Sequence, residues 1–184
     1  LMELIGSAFH GKFSPRHYLK FVLHPYTKNI RFGKRSDVTR ILFHSLEEHL
    51  LEHRAKMFFA LDEIENDNEF FKETQKRLIG VEEEVTAEQL REHLVSIHAQ
   101  TIRKLGEFNS IGEFAQRAIE VLSFIFEQST ANLHPYFRPY VERLIEALEG
   151  LSKSLLAEKR FEEPLAYFTF VRSLIASESV PFSG

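Results

Sequence analysis

The 184-residue chain is 43% hydrophobic and 27% charged with a net charge of −4, the make-up of an ordinary globular domain. It has no cysteine, which excludes disulfides, thiolate catalysis and cysteine-ligated zinc. No run approaches the ~18 apolar residues of a membrane span and no basic-then-apolar leader opens the sequence, so a cytoplasmic location is the expectation and no cofactor is.

Ser14-Pro15 reads as an N-cap with proline at the first helical position, where its missing N–H costs nothing. The helix it opens should run to about Leu23 and stop at His24-Pro25. Residues 25–35 are basic, contain Gly33 and read as a loop. Ser36 or Asp37 then caps the longest expected helix, about 37–65, on a stripe of Leu46, Leu50, His53, Met57, Leu61 and Ile64. Its acidic end, Asp62 to Glu69, opposes the helix dipole and predicts a turn near Asn66-Asp67-Asn68. Phe70 to Ile79 adds a short helix ending at Gly80.

Thr86 to Gln89 and Ser110 to Glu113 are capping-box patterns. The first opens a helix burying Leu90, Leu94, Ile97 and Leu105; the second, one to about Ala131 on Ile111, Phe114, Ala118, Leu122 and Ile125. Val141, Leu144, Leu148, Leu151 and Leu155 mark a helix to about Lys159. Pro164 opens the last, with Leu165, Phe168, Val171 and Ile175 inward. No segment sustains strand alternation. The expected fold is all-α: a single-domain bundle of six to seven helices over 37–177, with a basic N-terminal arm (1–36) and a flexible tail (178–184).

Leu-His-Pro-Tyr occurs at 23–26 and again at 133–136, and reads as one helix-stop solution used twice. Of 23 aromatics, 18 are Phe and none is Trp; Phe has no polar handle, so these rings should seek a dry core or partner. Phe58-Phe59, Phe70-Phe71 and Phe124-x-Phe126 cannot each point both rings one way. One ring of each pair needs a further layer or a partner surface.

The first 40 residues carry eight bases and two acids, whereas the other 144 carry 15 bases against 25 acids. Lys12, Arg16, Lys20, Lys28, Arg31, Lys34, Arg35 and Arg40 therefore form a basic arm, interleaved with Phe9, Phe13, Tyr18, Phe21, Tyr26 and Phe32. Such an arm suits phosphates with unpaired bases, or an acidic surface.

His44, Glu48, His49, Glu52 and His53 are the densest ionisable cluster. Helical spacing puts His44, Glu48 and Glu52 on one face and His49 and His53 on another. These steps resemble fragments of hemerythrin-type di-iron proteins over this one helix, which would imply a metal completed by a second helix. Solvation of His44, Glu48 and Glu52, with His53 in the core, is the plainer reading. The acids of 62–69 lack the glycine of a calcium loop, and Glu82 to Glu84 suit the following helix N-terminus.

Arg91 and His98 lie seven apart on one helix face. The pair resembles the Arg-x(4–6)-His element of HEPN-family ribonucleases, which would imply phosphate binding by Arg91 and general-base action by His98. The leading expectation is a non-enzymatic helical interaction module, a component of a larger assembly, with a protein partner or self-association. A nucleic-acid-binding protein using the arm is the alternative, followed by the metal-binding and ribonuclease readings.

Overall fold

Side-chain caps set several of the helix starts that the chain adopts in its computed structural model, which describes residues 1–52, 57–78, 84–135 and 137–177, the last three of these by backbone only. The Ser14 hydroxyl, expected to cap α2, makes no such bond. In chain order the helices are α1 (Met2–Gly6), α2 (Pro15–Val22), α3 (Pro25–Lys28), α4 (Asp37–Glu52), α5 (Leu61–Glu65), α6 (Asn68–Arg77) and α7 (Ala87–His98). A π turn, Ala99–Arg103, continues α7; then come α8 (Ile111–Gln128), a 3-10 turn (Thr130–Leu133), α9 (Phe137–Ser152) and α10 (Pro164–Ser177). Seven of these helices have eight residues or more, and no strand occurs among the described residues. The fold is all-α.

The Thr86 capping box forms in full: its hydroxyl accepts from the Gln89 N–H (3.2 Å) and the Gln89 amide oxygen from the Thr86 N–H (2.9 Å). Ser110 accepts from the Glu113 N–H (3.2 Å), but Glu113 reaches one residue further back, to the N–H of Asn109 (2.8 Å). Asp67 caps α6 through the Phe70 N–H, at the turn that the Asn-Asp-Asn sequence predicts.

Several boundaries move. The helix expected over 37–65 is present as α4 through Glu52, but residues 57–60 are non-helical. Phe59 instead exchanges two backbone hydrogen bonds with Phe13 (2.7 and 3.0 Å) and buries its ring edge-on against Tyr18. Met57, assigned to the stripe, is 80% exposed. A tertiary pairing overrides helical periodicity here, and Asp62 and Glu63 become first-turn residues of a new helix, where the dipole favours them. The loop of 25–35 contains the four-residue α3, and α8 stops at Gln128 rather than Ala131. The helix expected to reach Lys159 stops at Ser152, leaving Leu155 fully exposed. The following turn docks on the start of α8: the carbonyls of Ala157 and Lys159 accept from the N–H groups of Gly112 (2.8 Å) and Ile111 (3.0 Å), two of the donors a helix N-terminus leaves open. The expectations for His53, 79–83, 178–184 and the side chain of Ile175 fall outside the described residues.

That docking requires Gly112, since a Cβ there would stand 3.2 Å from both the Cβ and the backbone oxygen of Ala157. Gly150, in α9, has open space around its own missing Cβ. Alanine gains ~1 kcal/mol over glycine in a helix interior. Gly150→Ala should therefore raise the thermal midpoint, whereas Gly112→Ala should lower it despite the same gain. A melt in which both variants rise would show that the turn yields freely.

Two hydrophobic clusters fill the interior. The first gathers α2, α4, α5, α6 and α7 around Tyr18, Phe43, Phe59 and Phe71, with Ile102 at its end. The second gathers α8, α9 and α10 around Phe114, Val141, Tyr167 and Phe168. Leu1 and Phe124 pack against both. Adjacent rings Phe70 and Phe71 are both buried, at 5.0 Å from each other, so the extra layer that such a pair needs is supplied internally. The basic arm is part of this architecture. Its Tyr18, Phe21, Val22 and Ile30 belong to the first cluster, and Arg31 and Asn29 bond through the backbone to Gln128 and Thr130.

Candidate functional site

Half of the arm's cations have local partners. Lys20 pairs with Glu3 (2.5 Å) and Arg35 with Asp37; Arg31 donates to the Glu127 carbonyl (3.3 Å) and Arg40 to Ser36. Lys12, Arg16, Lys28 and Lys34 show no acidic partner among the described residues. Most of the interleaved aromatics face inward: Tyr18 and Phe21 are buried, Phe32 meets His93 edge-on, and Tyr26 packs on Phe137 at 4.3 Å.

On α4 the ionisable residues pair outward. His44 meets Glu47 (3.3 Å), Glu48 meets Arg77 (2.6 Å), and His49 meets Asp67 (3.4 Å) with its ring against Phe70. Glu52 is exposed. Among the described residues no group of three or more His, Asp and Glu side chains converges as a metal would need; His53 lies outside them.

Arg91 and His98 serve different partners. Arg91 meets Asn68 and Glu88 and lies over the Phe71 ring. His98 is fully buried in a chain that the sequence reading did not assemble. Its Nε2 is 2.7 Å from the Tyr18 hydroxyl and its Nδ1 2.6 Å from Glu65, whose carboxylate also takes two bonds from Arg103 (2.8 and 2.6 Å). Burial alone would raise the Glu65 pKa, but the hydrogen bonds from His98 and Arg103 outweigh it and hold the carboxyl at about 2. Burial lowers the pKa of His98, against the opposing pull of Glu65, and raises that of Tyr18. The consistent protonation state is a neutral imidazole that donates from Nδ1 to the carboxylate and accepts the Tyr18 proton at Nε2. Neither Tyr18 nor His98 lines either of the two clefts described next.

Two clefts do open. One, of about 590 Å³, lies between α7 and α8 and is polar, with Arg31, His93, Gln100, Glu120 and Glu127 on its walls. His93 is held there by Thr39 (2.7 Å), and burial depresses its pKa to about 4. Acid should therefore act twice on stability. Between pH 6.5 and 4 the unfolded chain takes up a proton that folded His93 refuses; between 4.5 and 2 the stabilisation from ionised Glu65 is lost as that group protonates. Each shift is worth roughly 3 kcal/mol at its full extent, so denaturation midpoints should fall steadily below pH 6.5. A midpoint constant from pH 7 to 4 would contradict the His93 assignment.

The other cleft, of about 540 Å³, runs between the α1–α3 segment and helices α8–α10. Everything that α8 and α9 contribute is apolar: Ala118, Val121, Leu122, Ile125, Leu144 and Leu148. Its ionisable side chains all come from the opposite wall and from α10: Glu3, His17, Lys20, His24 and Arg172. Leu122, Leu144 and Leu165 were expected in the core. Leu122 and Leu144 pack half-buried against the second cluster and also border this opening, whereas Leu165 is 52% exposed. A core stripe whose outer members lack cover was the one sequence signal for the cleft. Of the arm's eight cations, Lys20 alone lines it.

The chain shows no match to a family model, and no significant match among curated proteins or solved structures. No candidate span long and apolar enough to cross a membrane is present among the described residues.

Proposed function

We propose that this chain is a non-enzymatic binding module whose recognition element is the apolar cleft between α1–α3 and α8–α10. The cleft carries the reading. Its volume lies within the ~300–1,000 Å³ usual for ligand sites, and such sites combine apolar walls with a few polar groups. The Tyr18–His98–Glu65 part of the hydrogen-bond chain supports a non-catalytic role, because Tyr18 and His98 have no exposed surface and both imidazole nitrogens are committed. A titration with the neutral solvatochromic dye Nile red tests the site. Saturable one-to-one binding is expected, and Ala118→Phe, which fills the cleft from α8, should abolish it while retaining the helical circular-dichroism spectrum. Should Ala118→Phe unfold, Leu122→Phe at the cleft edge is the second blocking variant. Binding that is unsaturable, or indifferent to the folded blocking variant, would overturn the reading.

Nucleic acid is the second reading, favoured by the four cations Lys12, Arg16, Lys28 and Lys34 that no described acid neutralises. Four phosphate contacts imply a log–log salt slope of roughly −3.6 on duplex, a loss of about a hundredfold between 50 and 200 mM salt. Anisotropy titrations with single-stranded and duplex oligonucleotides at both salts would show it, and charge reversal at these four positions should remove it. No binding at low salt ends this reading.

A further inference from the structure

We propose that the occupant of the cleft is a long-chain fatty acid, its tail along α8 and α9 and its carboxylate on Arg172 at the rim; this rests on the cleft being the recognition element. The tail site follows from the walls. Val121, Leu122, Ile125, Leu144, Leu148 and Phe168 present no polar side-chain atom, so an inserted group gains by leaving water and any buried donor or acceptor of its own would go unpaired.

The head group follows from the rim. Glu3 is already paired with Lys20 at 2.5 Å, and the Nδ1 of His17 with the Ser7 hydroxyl at 2.8 Å. Arg172 is exposed and has no ion-pair or hydrogen-bond partner among the described residues. A guanidinium offers a fork of donors that a carboxylate fills with two bonds. With its acid neutralised by a neighbour, the rim is left positive, and an anion complements it.

Size selects the chain. At ~30 Å³ per heavy atom, about the share of a water in the liquid, the volume of about 540 Å³ holds one tail of some 16 to 18 atoms. A partner helix, about 10–12 Å across with its side chains, would fit for little more than one turn.

The test is displacement of Nile red from the full chain by saturated fatty acids of 8, 12 and 16 carbons, each below its micelle concentration and beside the matched 1-alkanol. Affinity should rise about three- to fourfold per added methylene, from the transfer free energy of a buried CH₂. Hexadecanoate should exceed hexadecanol by tenfold or more, and Arg172→Gln should erase that preference while leaving the alcohol's affinity in place. Equal affinity of acid and alcohol, or no dependence on chain length, overturns the proposal. If the dye binds and fatty acids fail to displace it, the fatty acid is wrong and the cleft stands. If the dye itself does not bind, both fall.

Discussion

Replacing Glu65 with alanine should lower the unfolding free energy by about 3 kcal/mol, the low end of what breaking a buried ion pair costs. Two groups lose their partner at once. Arg103 is 43% exposed and regains water on its open side. His98 has no exposed surface, so its Nδ1–H is left unsatisfied in the interior, a penalty of ~1–3 kcal/mol by itself. Glu65→Gln keeps an acceptor and should lose less. In urea, with a slope of ~2 kcal/mol/M, the alanine variant should unfold about 1.5 M earlier than the parent. It should also lack the acid-induced loss between pH 4.5 and 2 that Glu65 provides. An alanine variant within 1 kcal/mol of the parent would mean that water enters the site and that His98 is not sealed.

Phe114→Ala should lose more, about 3–5 kcal/mol, the usual range for deleting a buried ring. Phe114 has no exposed surface and sits among Phe108 (5.1 Å), Phe168 (5.3 Å) and Tyr167 (6.4 Å). Its neighbour Tyr167 donates to the Asn109 carbonyl and accepts from the Phe161 N–H, so the surrounding backbone is stitched and collapses poorly into the space left. The same rings position α10, which carries Phe168 and Arg172 to the cleft. The variant should therefore also bind Nile red more weakly at temperatures where it remains folded. A loss below 2 kcal/mol would show that the ring cluster repacks.

Helices governed by local chemistry were legible in the sequence. Pro15, Thr86, Ser110 and Pro164 each mark the start of a helix where capping and proline rules place it. What the sequence hid depends on distant partners. Nothing near Phe59 announces its pairing with Phe13 across 46 positions, and the 37–65 stripe is equally good helix until that pairing is known. Glu65 reads as one more acid in an acidic run, although it falls one residue after buried Ile64; its partners lie 33 and 38 positions away. The cleft was half-visible. Its apolar wall was read correctly as stripes, but periodicity says which residues seek cover and not whether another element supplies it.

The π turn at Ala99–Arg103 has a further consequence, for how this chain tolerates changes of length. On a regular α-helix, residues five apart point ~140° away from each other; a turn closed by i→i+5 bonds brings them one above the other. His98 and Arg103 are five apart and grip one carboxylate. The buried positions of the segment are Leu90, Leu94, Ile97, His98, Thr101, Ile102 and Leu105. The segment behaves as a helix with one residue spliced in, its earlier part facing the first cluster and its later part the second. Deleting one residue there would regularise the coil, yet it would swing every downstream side chain by ~100°. Arg103 would part from Glu65 and Leu105 from α8. Natural relatives should thus vary in length in the loops around this turn while holding its count of five.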